Sequence, residues 1–144
     1  SLGIFTLKDI KLNSFVDPLV PGVTCHVASI EANLSLSDPS DSAVSCRQTG
    51  EITPAMIARI KKGKAGEVVF EKSKSVFLKT LKIRRIFDEE SQTLMYLSYS
   101  TRETSGSFKH SLSTVPLWGT AAYVPPQVQA TNEGAKQSDQ AKSF

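Results

Sequence analysis

The sequence has no long apolar run and few of the residues from which metal centres are built. No stretch approaches the roughly 18 consecutive apolar residues of a membrane-spanning helix, so we expect a chain that does not span a membrane. The two cysteines and two histidines contain no Cys-x-x-Cys motif, and their spacing matches no compact zinc site. Lys64 lies between two glycines, but the full phosphate-loop spacing is missing. We therefore expect neither a metal nor a cofactor.

The chain is long enough for one folded domain. It has 144 residues, of which 40% are hydrophobic, and this is sufficient for a real core. We expect the domain to cover residues 1–119, and residues 120–144 to form a polar tail that buries too little apolar surface to fold. The sequence opens at Ser1-Leu2-Gly3 without a basic and apolar leader, so an exported protein would be represented here by its mature form.

Alternating apolar and polar residues predict a mainly β fold, either a compact antiparallel sandwich or a curved sheet. One short helix is expected at about residues 54–62, with Thr53 as its N-cap, Pro54 in its first turn and Gly63 just beyond its end. The two segments that flank the polar turn at residues 88–92 form a natural antiparallel hairpin. The predicted extended segments are 4–16, 23–30, 43–48, 67–71, 76–87 and 93–101, the last with Met95, Leu97 and Tyr99 on one face.

Both cysteines lie in strand-like runs, on the same parity as neighbouring valines. Alternate side chains of a strand share a face, so Cys25 is expected to turn inward with Val23 and Val27, and Cys46 with Val44. Two inward cysteines on neighbouring strands favour a buried disulfide that staples the fold, which is typical of an oxidising compartment. Two unlinked core thiols, each acting as a small hydrophobe, are the alternative at this point.

Positive charge is concentrated in one central stretch. The chain has a formal net charge of +3, whereas residues 59–85 alone contain ten Lys or Arg and two Asp or Glu. Such a stretch attracts anionic lipid, acidic glycan or an acidic protein, and no nucleic-acid-binding motif accompanies it. An ordinary solvated face, with some cations covering the edge of the core, is the plainer explanation. The candidate binding residues in this stretch are Lys61, Lys62, Lys64, Arg84 and Arg85, with Arg59 beside them.

A second candidate site would serve a small-molecule carrier or an enzyme. Arg47 has the parity opposite to Cys46, so it is expected on the other face of the sheet, where it could meet a carboxylate or phosphate. Gln48 belongs to the same candidate pocket. Asp38 and Asp41 lie in the polar loop before this strand. Aspartates in such a loop usually bond to their own backbone, which is the simpler explanation for them.

A catalytic thiol is disfavoured. His26 follows Cys25 directly, so on a strand the two side chains point to opposite faces, and a disulfide would consume both thiols. Because the sequence presents no catalytic constellation, a non-enzymatic binding module is the leading hypothesis, and the carrier or enzyme is the alternative.

Several motifs, read in order, resemble the CreA family of bacterial envelope proteins. The clearest are Gly22-Val23-Thr24-Cys25-His26-Val27, Asp38-Pro39-Ser40-Asp41, Ser45-Cys46-Arg47-Gln48-Thr49-Gly50, Gly66-Glu67-Val68-Val69-Phe70, Arg85-Ile86-Phe87-Asp88 and Tyr96-Leu97-Ser98-Tyr99-Ser100. The resemblance covers most of residues 4–118. It implies a periplasmic protein whose signal peptide has been removed, and it implies that Cys25 and Cys46 are the cysteine pair of the family. It implies no activity, because the family is uncharacterised.

The chain departs from the family pattern in two places. Ile30-Glu31-Ala32-Asn33 lacks the glycine-rich stretch that family members carry before the Asp-Pro-Ser loop, which puts a function borne by that loop in doubt. The polar tail after Trp118 also lies outside the pattern.

Overall fold

The computed structural model describes residues 5–7, 10–30, 42–74, 79–100 and 110–126, which form two four-stranded antiparallel sheets and a short helix. Sheet A contains β1 (Phe5–Leu7), β2 (Ile10–Val16), β3 (Val23–Ile30) and β4 (Ser42–Gln48); sheet B contains β5 (Glu67–Lys74), β6 (Lys79–Asp88), β7 (Thr93–Ser100) and β8 (His110–Pro116). Strands follow one another in chain order within each sheet. The mainly β prediction and the hairpin around residues 88–92 are confirmed. In the described part of the chain, no helix is long and apolar enough to cross a membrane.

The core lies between the inner faces of the two sheets. Along β6 and β7 every second side chain is buried, as a strand packed on one side requires. The sheets meet where β4 lies against β8, and on the other side Phe15 of β2 stacks on Phe70 of β5 with ring centroids 4.6 Å apart. The buried apolar side chains include Val20, Val23, Val27, Ile52, Leu81, Ile83, Leu94, Val115 and Leu117.

A disulfide joins Cys25 of β3 to Cys46 of β4, as predicted. The two residues are direct register partners with Cα atoms 4.0 Å apart, and both are buried. The backbone N–H of Cys46 donates to Ser113 Oγ of β8 at 2.7 Å. It therefore points away from β3, which identifies the cysteine pair as a non-hydrogen-bonded pair of the ladder, where side chains come closest.

The helix α1 (Pro54–Arg59) is shorter than expected. Its start is confirmed, because Thr53 accepts a hydrogen bond from Met56 N and Pro54 occupies the first turn. The predicted end near residue 62 is wrong. Ile60 is extended, with ψ 154°, and its side chain is 5% exposed. Leaving the helix at this point buries Ile60 in the core, and the gain from that burial outweighs another half turn of a short helix.

The buried face of β7 is not the one that carries Met95, Leu97 and Tyr99. Leu94, Tyr96, Ser98 and Ser100 point inward, and the other three side chains lie on the outer face. Both parities of this strand contain large apolar residues, so alternation alone did not identify the buried side. The strand β8 was also not predicted, since its inward residues at 111 and 113 are serines.

The described contacts continue past the expected boundary at residue 119. Ala122 is 5% exposed, and its N–H donates to Ile52 O at 3.2 Å. The N–H of Val124 donates to Gln92 Oε1 at 3.2 Å. Residues 120–124 therefore pack on the folded body, and the remainder of the expected tail, from residue 127, lies outside the described residues.

Candidate functional site

Four exposed cations follow one another from the last residue of α1 to the segment before β5. We call Arg59, Lys61, Lys62 and Lys64 the basic ridge; each of the four side chains is exposed. Within the described residues, no carboxylate lies within 4.0 Å of their side-chain nitrogens. The ridge is therefore a run of cations that no described carboxylate neutralises through an ion pair.

The ridge is held to the body of the protein at both ends. At its start the buried Ile60 anchors the chain, and the N–H of Lys61 donates to Glu67 Oε1 at 3.3 Å. At its end Gly66 has φ +57°, a left-handed conformation that glycine adopts without strain. A Cβ at Gly66 would also collide with the backbone carbonyl of Arg85. Because the backbone of Gly66 comes so close to Arg85, the next residue, Glu67, can begin β5 directly beside β6.

A cluster of charged and polar side chains is buried beneath the ridge. Arg85 of β6 is 1% exposed, and both of its terminal nitrogens donate to Glu67 Oε1, at 2.9 and 3.0 Å. Arg85 Nε lies 3.1 Å from Asp17 Oδ2, which makes an ion pair although the N–H is not aligned for a hydrogen bond. Tyr96 of β7 donates its hydroxyl to the same oxygen at 2.7 Å. We call Asp17, Glu67, Arg85 and Tyr96 the buried ionic cluster.

The cluster connects the two sheets. Asp17 follows β2 of sheet A and is 0% exposed, and its second oxygen accepts the N–H groups of Leu19 and Val20. Burial, together with the nearby Asp17 carboxylate that its hydroxyl binds, raises the pKa of Tyr96 far above its ordinary value. Tyr96 therefore remains a neutral donor. Because the cluster's charges are paired with one another, its first effect is to fix the relative position of the sheets.

The other predicted site residues are distributed over several surfaces. Arg84 is partly buried on the outer face of β6, where Nε donates to Tyr99 Oη at 3.2 Å and Nη1 to Ala65 O at 3.0 Å. Arg47 and Gln48 are exposed at the end of β4, and Gln48 Nε2 donates to Gly50 O at 3.0 Å. Asp38 and Asp41 lie outside the described residues. Among the residues that are described, no group of three His, Cys, Asp or Glu side chains is arranged to hold a metal.

The structure brings only part of the predicted basic stretch together. Lys61, Lys62 and Lys64 share the ridge, and Arg84 reaches the same segment through Ala65, whereas Arg85 points into the core. The parity of β6 places Arg85 with Leu81 and Ile83, so its inward direction was visible in the sequence. Its partners were not, since Asp17 is 68 residues away in the chain. Asp17 and Tyr96 were not identified as partners because no local pattern connects them.

Comparison with known proteins gives a consistent result. Residues 2–120 match the model of the family described as CreA protein. The chain is 43% identical to Protein CreA of Escherichia coli strain K12, over 75% of this chain and 72% of that protein. The same figures hold for Protein CreA of the O6:H1 strain CFT073 and of E. coli O157:H7. No solved structure is significantly similar to the chain.

Proposed function

The chain belongs to the CreA family, and we propose that it is an exported protein of the bacterial envelope that binds an anionic envelope component on the basic ridge. It acts in this proposal as a binding module and not as an enzyme.

Export to the periplasm is supported by the disulfide. The Cys25–Cys46 bond is buried and lies between direct register partners, which is the setting of a structural disulfide and not of a reactive thiol pair. Such bonds persist in oxidising compartments and are rare in the reducing bacterial cytoplasm. The periplasm is an oxidising compartment, and it is also the compartment expected for a protein of the CreA family.

The observation that carries the binding proposal is the exposure of all four ridge cations. Glu67 is the nearest acidic residue along the chain, but Arg85 and the N–H of Lys61 occupy its Oε1 atom. The acid nearest the ridge is thus paired with Arg85, although its side chain is still 23% exposed. Closely spaced cations attract phosphate or carboxylate groups by long-range electrostatics, which weakens as salt is added.

The carrier or enzyme alternative receives no comparable support. Arg47 and Gln48 are exposed at the end of β4 in sheet A, and the aspartates proposed to act with them lie outside the described residues. Asp17, which is fully buried, is enclosed by Arg85, Tyr96 and two backbone N–H groups. We therefore retain one proposed function.

Binding to defined anionic probes tests this proposal. The Lys61→Gln/Lys62→Gln variant should bind phosphatidylglycerol vesicles or polygalacturonate more weakly than the parent chain, by roughly thirtyfold for vesicles if each lysine contributes about 1 kcal/mol. Co-sedimentation with vesicles, and calorimetry with polygalacturonate, measure the two affinities. A preference for one probe assigns the component to lipid or to glycan.

The matched control is Lys136→Gln/Lys142→Gln, which removes the same net charge from the C-terminal sequence. It should keep at least most of the parent affinity, and neither chain should bind phosphatidylcholine vesicles. Equal losses in the two variants would show that only net charge matters. That result, or parent binding that is unaffected by salt, would contradict a site on the ridge.

A further inference from the structure

The outer face of sheet B carries an apolar patch where an exposed sheet is normally polar. Register partners define its rows. One row contains Val68, Arg84, Leu97 and Leu112, and the next contains Ile86, Met95 and Thr114. Two of these apolar side chains are exposed, Leu112 at 56% and Val68 at 37%, and Ile86, Met95 and Leu97 are half-buried. The remaining outward residues of the described strands are Glu71, Thr80, Lys82, Asp88, Thr93, Tyr99, His110 and Pro116.

The composition of this face is typical of a protein interface. Methionine, arginine and aromatic residues are enriched at interface cores relative to ordinary surfaces. Trp118, which is 75% exposed, continues the outward parity of β8 just beyond Pro116. Tyr123 holds the indole in an edge-to-face contact with ring centroids 5.2 Å apart. An exposed tryptophan at the border of an apolar patch is a strong candidate contact residue.

The charges on the face are arranged by sign along β6. Lys82 and Arg84 lie on one side of Ile86, and Asp88 lies on the other, with Arg84 and Asp88 both two residues from Ile86. Arg84 uses Nε and Nη1 in the bonds to Tyr99 and Ala65, and among the described residues its Nη2 has no hydrogen-bond partner. Asp88 Oδ2 accepts the Ser91 hydroxyl. A face with both signs is poorly matched to an anionic membrane but can be complementary to itself.

We propose that the outer face of sheet B binds a second copy of this chain, related by a twofold axis that crosses the strands at Ile86. A twofold interface is isologous, so each contact occurs twice. An axis through Ile86 that runs along β6 would place Arg84 on Arg84 of the other copy. An axis through Ile86 that runs across the strands places Arg84 over Asp88 of the other copy and Leu112 over its Pro116. Of these two arrangements, the charges favour the second.

The size of the face fits a weak dimer. Four strands about 4.8 Å apart and the three outward rows that overlap about an axis at Ile86, about 6.8 Å apart, cover roughly 400 Å² per copy. A pair would bury on the order of 800 Å², which is small for a specific interface, so we expect a dissociation constant on the order of tens of micromolar. The inference stands on the outer face alone and does not depend on the basic ridge or on what the ridge binds.

Charge reversal on opposite sides of Ile86 provides a specific test. Arg84→Glu and Asp88→Arg should each be monomeric, with dissociation constants raised by about a hundredfold, because each reversal places two like-charged pairs across the interface. Mixed in equal amounts, the two variants should form a heterodimer, since every acidic side chain at positions 84 and 88 would then face a basic one on the other copy. Sedimentation velocity over a concentration series measures all three samples. Recovery on mixing cannot arise from misfolding, so it separates the interface from a loss of structure.

Two further measurements control the test. Arg47→Glu, an exposed charge reversal on sheet A, should leave the mass of the parent dimer unchanged. Trp118 is the single tryptophan of the chain, so its emission should shift to shorter wavelength as the parent associates and should not shift in Arg84→Glu. A parent chain that is monomeric at every concentration overturns the proposal. So does a dimer that both reversals leave intact, or the absence of association in the mixture.

Discussion

Arg85 comes from the most basic part of the sequence, yet its guanidinium is enclosed between Asp17 and Glu67. A charge buried without partners is very costly, and a paired one is tolerated where hydrogen bonds satisfy it. The direction of this side chain follows from strand parity. Its ion pair does not, because Asp17, Arg85 and Tyr96 come from three separate parts of the chain. At the scale of single residues, the sequence offered the ridge lysines as candidates for binding, but it did not indicate the buried ionic cluster beneath them.

Tyr96 should make stability depend on pH in the alkaline range. The pKa of Tyr96 is raised in the folded protein. Its contribution to the free energy of unfolding is therefore fully present below the pKa of an unfolded tyrosine, about 10, and is lost as the pH rises above that value. The unfolding free energy of the parent should fall by about 1.4 kcal/mol per pH unit more than that of Tyr96→Phe. Urea titrations at a series of pH values measure the difference. Parallel pH profiles for the two proteins would contradict the raised pKa.

At the scale of elements, ends and edges were harder to predict than the strands themselves. The start of α1 follows from Thr53 and Pro54, which act locally, whereas its end follows from the burial of Ile60. The outer edge of β4 also depends on residues that are distant in the chain. Its N–H groups at Val44 and Cys46 donate to hydroxyl groups of β8, at 3.2 and 2.7 Å. These side chains satisfy an edge that would otherwise be open to another strand.

Ser113→Ala should therefore destabilise the protein although it removes a single oxygen atom. The N–H of Cys46 would lose its acceptor in a partly buried position, at a cost of about 1–3 kcal/mol in unfolding free energy. Ser45→Ala is the matched control, because Ser45 is exposed on the opposite face of β4, and it should change stability by less than about 0.5 kcal/mol. Urea unfolding compares the two. Equal stabilities would show that water replaces the lost hydroxyl.

At the scale of the whole molecule, two sets of contacts hold the strands and the two sheets in their relative positions. The disulfide fixes β3 to β4 within sheet A, and the buried ionic cluster fixes sheet A to β5, β6 and β7 of sheet B. The disulfide restricts the unfolded chain, and the buried ionic cluster specifies how the two sheets are positioned relative to each other in the folded protein. The buried ionic cluster contacts the basic ridge through Glu67, which accepts the N–H of Lys61, so it helps to hold that segment in place.

Removal of the disulfide should lower stability without changing the fold. The two cysteines are 21 residues apart in the chain, and closing a loop of that size contributes roughly 3 kcal/mol in the chain-entropy model. The Cys25→Ala/Cys46→Ala variant should unfold at a lower urea concentration and should be insensitive to reductant, whereas the parent should be weakened by it. A parent whose midpoint does not move on complete reduction would argue against a stabilising role and would weaken the case for export.

The sequence by itself determined the alternation of the strands, the inward direction of Cys25 and Cys46, the start of α1 and the membership of the family. The first three features depend on residues no more than three positions apart in the chain, and family membership depends on short motifs read in order along it. Tertiary structure decided which face of β7 is buried, where α1 ends, and that Asp17 meets Arg85 and Tyr96. Each of these depends on a partner that is distant in sequence, and the free energy of packing against that partner outweighs the local preference.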